Sequence, residues 1–81
     1  MNELLKQAHR FSSKNRKSLE ESNVCGCFYC LKIFSPALIE EWWDNEETAV
    51  CPHCGIDSVI GDSSDFHITK EFLQEMHEAW F

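Results

Sequence analysis

The sequence predicts an α+β fold in which helical segments flank a small β core that is held by a metal ion. Three observations predict it: two Cys-x-x-Cys pairs, short runs of β-branched and aromatic residues around each pair, and apolar residues at helical spacing near both ends. The chain has 81 residues. A hydrophobic core alone stabilises the cysteine-containing part only marginally, so we expect a metal or another cross-link.

The first segment, residues 2–21, has apolar residues at helical spacing: Leu4, Leu5, Ala8 and Phe11. Ser12 and Ser13 interrupt this pattern as plausible cap residues, so we predict one broken helix or two short ones. We assign residues 1–22 to a basic helical arm. Residues 23–81 are assigned to one domain with a C-terminal helix.

Within residues 23–81 the predicted elements alternate between strands and helices. The run VCGCFYCLKIF predicts a strand, a metal-binding turn and a return strand. Ser35 and Pro36 predict the start of a short helix, ALIEEWW, which ends in a DNEE turn. A strand is expected on each side of CPHCG, at TAV and IDSVIG. Thr69 caps a predicted helix from Lys70 to about Trp80, whose apolar stripe should dock on the sheet.

Four of the five cysteines form the pairs Cys27/Cys30 and Cys51/Cys54, with twenty residues between the pairs. This spacing is at the upper end of that seen in four-cysteine zinc sites. A Cys-x-x-Cys turn directs two sulfurs at one ion, and backbone N–H groups of the turn can hydrogen-bond the thiolates. We therefore predict one structural Zn²⁺ bound by Cys27, Cys30, Cys51 and Cys54 in a zinc-ribbon-like domain.

Cys25, the fifth cysteine, belongs to neither pair. It lies on the same side of the predicted strand as Cys27, but roughly 6–7 Å further along, which is too far to share the ion. We predict that Cys25 packs as a small apolar residue, and redox sensing or transient metal transfer is the alternative. His53 lies inside the second turn and is expected to be exposed.

The net charge of −7 is unevenly distributed. Residues 1–19 contain five basic residues and one acid, a net charge of +4, whereas residues 20–81 contain two lysines and thirteen acids, a net charge of −11. A zinc ion with four thiolates would add about −2. We do not expect residues 20–81, the acidic body, to bind nucleic acid, because they repel phosphate. For the basic arm we expect either weak contact with phosphate or a solvated helix face.

The sequence has no signal-peptide core near its start and no run of about 18 apolar residues. We expect a cytoplasmic protein without membrane contact, in a compartment where thiols stay reduced and clustered cysteines usually bind metal. Four thiolates leave no coordination position for a catalytic water, so we do not expect an enzyme. Tetrahedral sulfur also suits iron, and CPHCG resembles half of a rubredoxin site, but CFYCL lacks the glycine that rubredoxins place after the second cysteine.

The run CGCFYCLKIFSPALIEEWWDNEETAVCPHCGIDSVIG, followed by ITKEFLQEMHEAWF, resembles a group of small bacterial proteins labelled "cytoplasmic protein". The resemblance covers about residues 25–81 and includes the ending His-x-x-Trp-Phe. It implies a zinc-ribbon-like fold with the same four cysteines as zinc ligands, and it includes Cys25 without a role. It implies no particular activity.

The surface carries the remaining functional predictions. Aromatic residues on an acidic body favour a protein-interaction module, an adaptor or regulator, although most aromatic side chains in a small protein belong to its core. The candidate partner-binding residues are Tyr29, Trp42, Trp43 and Trp80. Two alternatives remain: an acidic inhibitor of the immunity type that neutralises a basic protein, and a rubredoxin-like iron electron carrier.

Overall fold

The computed structural model describes residues 3–81, so Met1 and Asn2, which belong to the predicted arm, lie outside the described residues. Three α-helices, five short strands and three 3-10 turns are present in this part of the chain. The helices are α1 Glu3–His9, α2 Arg16–Glu20 and α3 Lys70–Trp80. The strands are β1 Cys25–Cys27, β2 Ile33–Phe34, β3 Trp42–Trp43, β4 Thr48–Ala49 and β5 Val59–Gly61. The 3-10 turns are Arg10–Ser12, Pro36–Leu38 and Asp62–Ser64.

The strands form two antiparallel sheets. The larger sheet has the order β2-β1-β5, with Cys25 opposite Phe34 and Gly61, and Cys27 opposite Val59. The smaller sheet is the β3–β4 hairpin. This architecture confirms the predicted α+β class and is compatible with a zinc-ribbon-like fold. No helix among residues 3–81 is long and apolar enough to cross a membrane.

The larger sheet separates two hydrophobic clusters because side chains alternate between the faces of a strand. Cys25, Cys27 and Val59 belong to the first cluster, with Phe34, Ala49 and Cys51. Ile60 belongs to the second, with Ala8, Phe28, Leu73 and Met76 from the segments outside the sheet. One face therefore meets the cysteine turns and the hairpin, while the other meets α1 and α3.

Helix α3 begins as predicted, since the hydroxyl of Thr69 accepts a hydrogen bond from the backbone N–H of Phe72 at 3.1 Å. Its buried residues, Leu73 and Met76, pack on the sheet. The approach is close at Gly26, where a β-carbon would lie 2.8 Å from Leu73 and 2.9 Å from Ile68. Because Gly26 has no side chain, helix α3 can pack directly against β1.

Substitution of Gly26 by alanine should therefore destabilise the protein by about 1–3 kcal/mol, because the new methyl group overpacks the contact with α3. Urea denaturation of the purified variant measures this loss. A double variant that also carries Leu73→Ala should lose less stability than the two single variants added together, since one of the two clashing side chains, that of Leu73, is gone. Strict additivity would contradict the steric explanation.

The N-terminal segment packs on the rest of the protein through a buried polar residue, Asn15. The side-chain amide of Asn15 donates 2.8 Å hydrogen bonds to the carbonyl oxygens of Phe11 and Val59, and its oxygen accepts from the N–H of Ala49 at 3.1 Å. Only 3% of Asn15 is exposed. One side chain thus joins the N-terminal segment to β5 of the larger sheet and to β4 of the hairpin.

The prediction of a helix at ALIEEWW is wrong. The hydroxyl of Ser35 does accept from the N–H of Ala37, but the 3-10 turn that follows ends at Leu38. Trp42 and Trp43 instead form β3, opposite Ala49 and Thr48. A seven-residue helix gains little from its own hydrogen bonds, and pairing in the hairpin prevails.

The predicted DNEE turn closes this hairpin. Asp44, Asn45 and Glu46 have positive φ angles of 55°, 60° and 67°. Such angles are unusual for residues other than glycine and favour Asn and Asp. The backbone N–H of Arg16 donates to the carbonyl of Glu47 at 3.0 Å, and its guanidinium donates to that of Glu46 at 2.8 Å. The N-terminal segment therefore holds the turn in its strained conformation.

Candidate metal centre

The sulfur atoms of Cys27, Cys30, Cys51 and Cys54 all lie within 4.8 Å of one another. The Cys27 and Cys54 sulfurs are 3.6 Å apart, and those of Cys30 and Cys51 are 3.7 Å apart. Four sulfurs at about 2.3 Å from a tetrahedral zinc ion would be separated by about 3.8 Å. The two Cys-x-x-Cys turns, distant in sequence, are thus brought together in an arrangement able to hold a metal ion.

The first turn connects β1 to β2 and orients its sulfurs through backbone hydrogen bonds. The N–H of Tyr29 donates to the Cys27 sulfur at 3.3 Å. The turn is closed by the N–H of Leu31, which donates to the carbonyl of Cys27 at 2.8 Å, and by the N–H of Cys27, which donates to the carbonyl of Lys32 at 3.0 Å. Leu31 has a φ of 66°, so a leucine adopts the conformation that usually favours glycine.

The second turn, between β4 and β5, repeats this pattern residue by residue. The N–H of His53 donates to the Cys51 sulfur at 3.4 Å. Gly55 donates to the carbonyl of Cys51 at 2.9 Å, and Cys51 donates to the carbonyl of Ile56 at 2.9 Å. The side chain of His53 is exposed, as predicted, and its ring lies 5.3 Å from that of Phe34. The two turns therefore present their sulfurs in equivalent ways.

The thiols differ in their surroundings. Burial disfavours the thiolate of Cys27, but hydrogen bonds from the Ser58 hydroxyl, 2.9 Å from the sulfur, and from the backbone of the turn outweigh this effect and lower its pKa. Burial raises the pKa of Cys30 and of Cys54. A bound divalent cation would favour the thiolate at each position. The contact between Ser58 and Cys27 could not be predicted from the sequence, because the spacing of Ser58 from the cysteines does not indicate it.

Cys25 lies outside this group of four. It is fully buried on the same face of β1 as Cys27, and its sulfur is 3.4 Å from the carbonyl oxygen of Phe34, to which the thiol donates. Burial, together with the charges of neighbouring cysteines and Asp62, raises the pKa of Cys25 to about 12. At neutral pH it is therefore a protonated, packed thiol, as expected.

Gly55 has a φ of 78°, and a β-carbon at this position would contact nothing within 4 Å. Alanine at position 55 should therefore cost about 1–2 kcal/mol through backbone strain alone. Asparagine, which tolerates this conformation, should cost less. Thermal unfolding of the two variants provides the comparison, and equal losses would exclude backbone strain as the cause.

The four predicted partner-binding residues lie in different environments. Tyr29 is 45% exposed and Trp43 is 42% exposed. Trp42 is partly buried against the first cluster, with the guanidinium of Arg16 4.6 Å from its ring centre. Trp80 is partly buried against the second cluster. The structure therefore leaves Tyr29 and Trp43 as surface candidates, and it adds Phe81, which is 57% exposed.

No protein family, curated protein or solved structure matches this chain. The fold and the four-cysteine group define a small α+β protein with a candidate structural metal centre.

Proposed function

We propose that the protein binds one Zn²⁺ ion through Cys27, Cys30, Cys51 and Cys54, and that the domain stabilised by this ion is a protein-interaction module. The observation that carries the first part is the near-tetrahedral spacing of the four sulfurs. Zinc would link the turn between β1 and β2 to the turn between β4 and β5. This cross-link would join both sheets in a protein whose strands are only two or three residues long.

The ion's proposed role is structural because four cysteine sulfurs complete a tetrahedral coordination shell. The site then offers no position for a water molecule or a substrate. We accordingly propose no enzymatic activity. A cytoplasmic location is part of the proposal, since unbound thiols at this spacing would form disulfides in an oxidising compartment. We also propose that the protein belongs to the small bacterial group that residues 25–81 resemble.

Exposed aromatic side chains support the interaction role. Tyr29, Trp43 and Phe81 are each more than 40% exposed. Large aromatic residues supply much of the binding energy at protein interfaces. Tyr29 belongs to the first cysteine turn, so loss of zinc should also disturb part of this surface.

The proposed function can be tested by affinity capture from the host lysate at several salt concentrations, followed by native mass spectrometry of the complex. We expect a single partner protein at fixed stoichiometry on the zinc-bound form. The variants Tyr29→Ala and Trp43→Ala should each keep the metal, and at least one should lose the partner. Absence of any stoichiometric protein under all salt conditions would contradict the interaction role and leave the metal site unaffected.

The acidic-inhibitor alternative is favoured by the net charge of −7. A partner recognised chiefly through opposite charge should bind much more weakly as salt is added. Binding that is insensitive to salt would exclude this alternative and favour the aromatic residues as the main contact.

The iron alternative is supported by the backbone N–H groups that point at Cys27 and Cys51, because hydrogen bonds to sulfur also tune iron–sulfur centres. Iron in this site would give the protein visible absorption. We expect a colourless protein with zinc, and a coloured one that contains stoichiometric iron would instead establish electron transfer as the better hypothesis.

A further inference from the structure

A cavity of about 270 Å³ lies beside the first cysteine turn. Its aromatic lining comes from Phe28, Trp80 and Phe81, and its polar lining includes His9, Asp57 and Ser58. Apolar walls with a few polar groups are typical of binding pockets, and this volume suits a single side chain better than a large ligand. Ser58 also contacts the Cys27 sulfur, so the cavity adjoins the candidate metal centre.

Trp80 carries an unused hydrogen-bond donor in this lining. Its indole Nε1 is buried and has no hydrogen-bond partner among the residues that the structure describes. A buried donor without an acceptor is energetically costly and uncommon in folded proteins. This nitrogen is closed off in the free protein, so an oxygen atom of a bound molecule would satisfy it once the neighbouring lining side chains move aside.

An exposed aromatic pair borders the cavity. The rings of Tyr29 and Phe81 lie 4.9 Å apart in an edge-to-face arrangement, and both side chains are exposed. Phe81 belongs to the pair and to the cavity lining alike. We call Tyr29, Trp80 and Phe81 the C-terminal aromatic surface. It combines an apolar contact area with one buried donor, as the anchor regions of protein interfaces do.

The charged residues around this surface indicate which kind of polypeptide it would bind. Asp57 is the only lining residue of the cavity with a carboxylate side chain, and no lysine or arginine lines it. The exposed charged residues of helices α1 and α3 are two lysines and four glutamates, a net charge of −2: Lys6, Lys70, Glu3, Glu71, Glu75 and Glu78. The net charge of the whole chain, −7, has the same sign, so both the local and the long-range electrostatic field attract a basic partner.

We infer that the C-terminal aromatic surface binds a basic segment of the partner protein, with an apolar side chain in the cavity and a carbonyl oxygen that accepts from Trp80 Nε1. This inference rests on the proposed interaction role and identifies the part of the protein surface that would contact the partner. Tyr29 and Phe81 cover the apolar part of the segment. Lysine or arginine residues flanking that part meet the acidic body of the protein.

The inference can be tested with a random peptide library selected on the zinc-bound full chain. Selected peptides should contain lysine or arginine on either side of an apolar residue. In ¹H–¹⁵N spectra, the selected peptide should shift the indole signal of Trp80 downfield, as expected for a newly formed hydrogen bond, and leave that of Trp43 unchanged. Trp80→Phe removes the donor and keeps an aromatic ring, so it should weaken binding about tenfold.

Two further variants keep the test independent of folding. Phe81→Ala changes an exposed side chain and should also weaken peptide binding about tenfold, while Leu38→Ala, which changes an exposed side chain outside the cavity lining, should have no effect. Unaltered circular dichroism and zinc content show that each variant is folded. Loss of binding in Trp43→Ala, with unchanged binding in Trp80→Phe and Phe81→Ala, would overturn this surface but leave the interaction role intact.

Three other outcomes would overturn the inference. These are selection of acidic peptides, unchanged affinity in Trp80→Phe and Phe81→Ala, and selection of no peptide at all. A shift of the Trp80 signal by neutral small molecules such as indole or adenine, without any peptide binding, would assign the cavity to a small ligand. Failure of the interaction role itself is distinguishable, since it requires that affinity capture also yields no stoichiometric partner.

Discussion

Substitution of Cys27 or Cys54 by serine should abolish zinc binding and unfold the domain. A structural zinc site contributes about 10–16 kcal/mol of binding free energy at neutral pH, which is comparable to or larger than the whole net stability of a typical domain. Each substitution removes one of the four clustered sulfurs. Far-UV circular dichroism and metal analysis of the purified variants should therefore show loss of structure and loss of zinc together.

Cys25→Ser is the matched control for these variants. Cys25 lies two residues from Cys27 on the same strand and is equally buried, but its thiol contacts the carbonyl oxygen of Phe34 and not the group of four sulfurs. A serine hydroxyl can donate to the same oxygen, so we expect full zinc content and a loss of about 1 kcal/mol or less. Equal unfolding of Cys25→Ser would overturn the assignment of the ligands.

Replacement of Asn15 by alanine should destabilise the protein by about 2–5 kcal/mol. The substitution leaves the N–H of Ala49 and the carbonyl oxygens of Phe11 and Val59 buried without their partner. One such group alone costs about 1–3 kcal/mol, and the three costs do not simply add because the groups share one partner. The N-terminal segment and the hairpin would then be less firmly held to the larger sheet. Urea denaturation of the zinc-bound protein measures the change.

Asn23→Ala supplies the comparison, because Asn23 is the same residue type in an exposed position. Its substitution should change the free energy of unfolding by less than about 0.5 kcal/mol. If Asn15→Ala is as mild as Asn23→Ala, the buried hydrogen bonds of Asn15 do not join the two sheets in solution.

The cysteine turns could be predicted from the sequence because their geometry is local. A Cys-x-x-Cys turn fixes its own two sulfurs, and the hydrogen bonds from Tyr29 to Cys27 and from His53 to Cys51 arise within the turns themselves. Helix α3 was predictable for the same reason, since the Thr69 cap and the apolar stripe lie within one segment. Local signals of this kind also located the strands on both sides of the second turn.

Elements that depend on distant partners could not be predicted in the same way. The segment around Trp42 and Trp43 has a helix-like start at Ser35, and only its pairing with Thr48 and Ala49 makes it a strand. Asn15 looks like a polar loop residue until its bonds to Val59 and Ala49 are seen. Likewise, the sequence marks Trp80 as aromatic but shows neither its cavity nor its unused donor.

Native mass spectrometry of the protein, purified without added metal, tests the central claim most directly. The proposed centre requires one zinc ion per chain in the wild type and in Cys25→Ser, and none in Cys27→Ser or Cys54→Ser. A folded wild-type protein without metal, or zinc retained at full occupancy by the Cys27→Ser and Cys54→Ser variants, would contradict it.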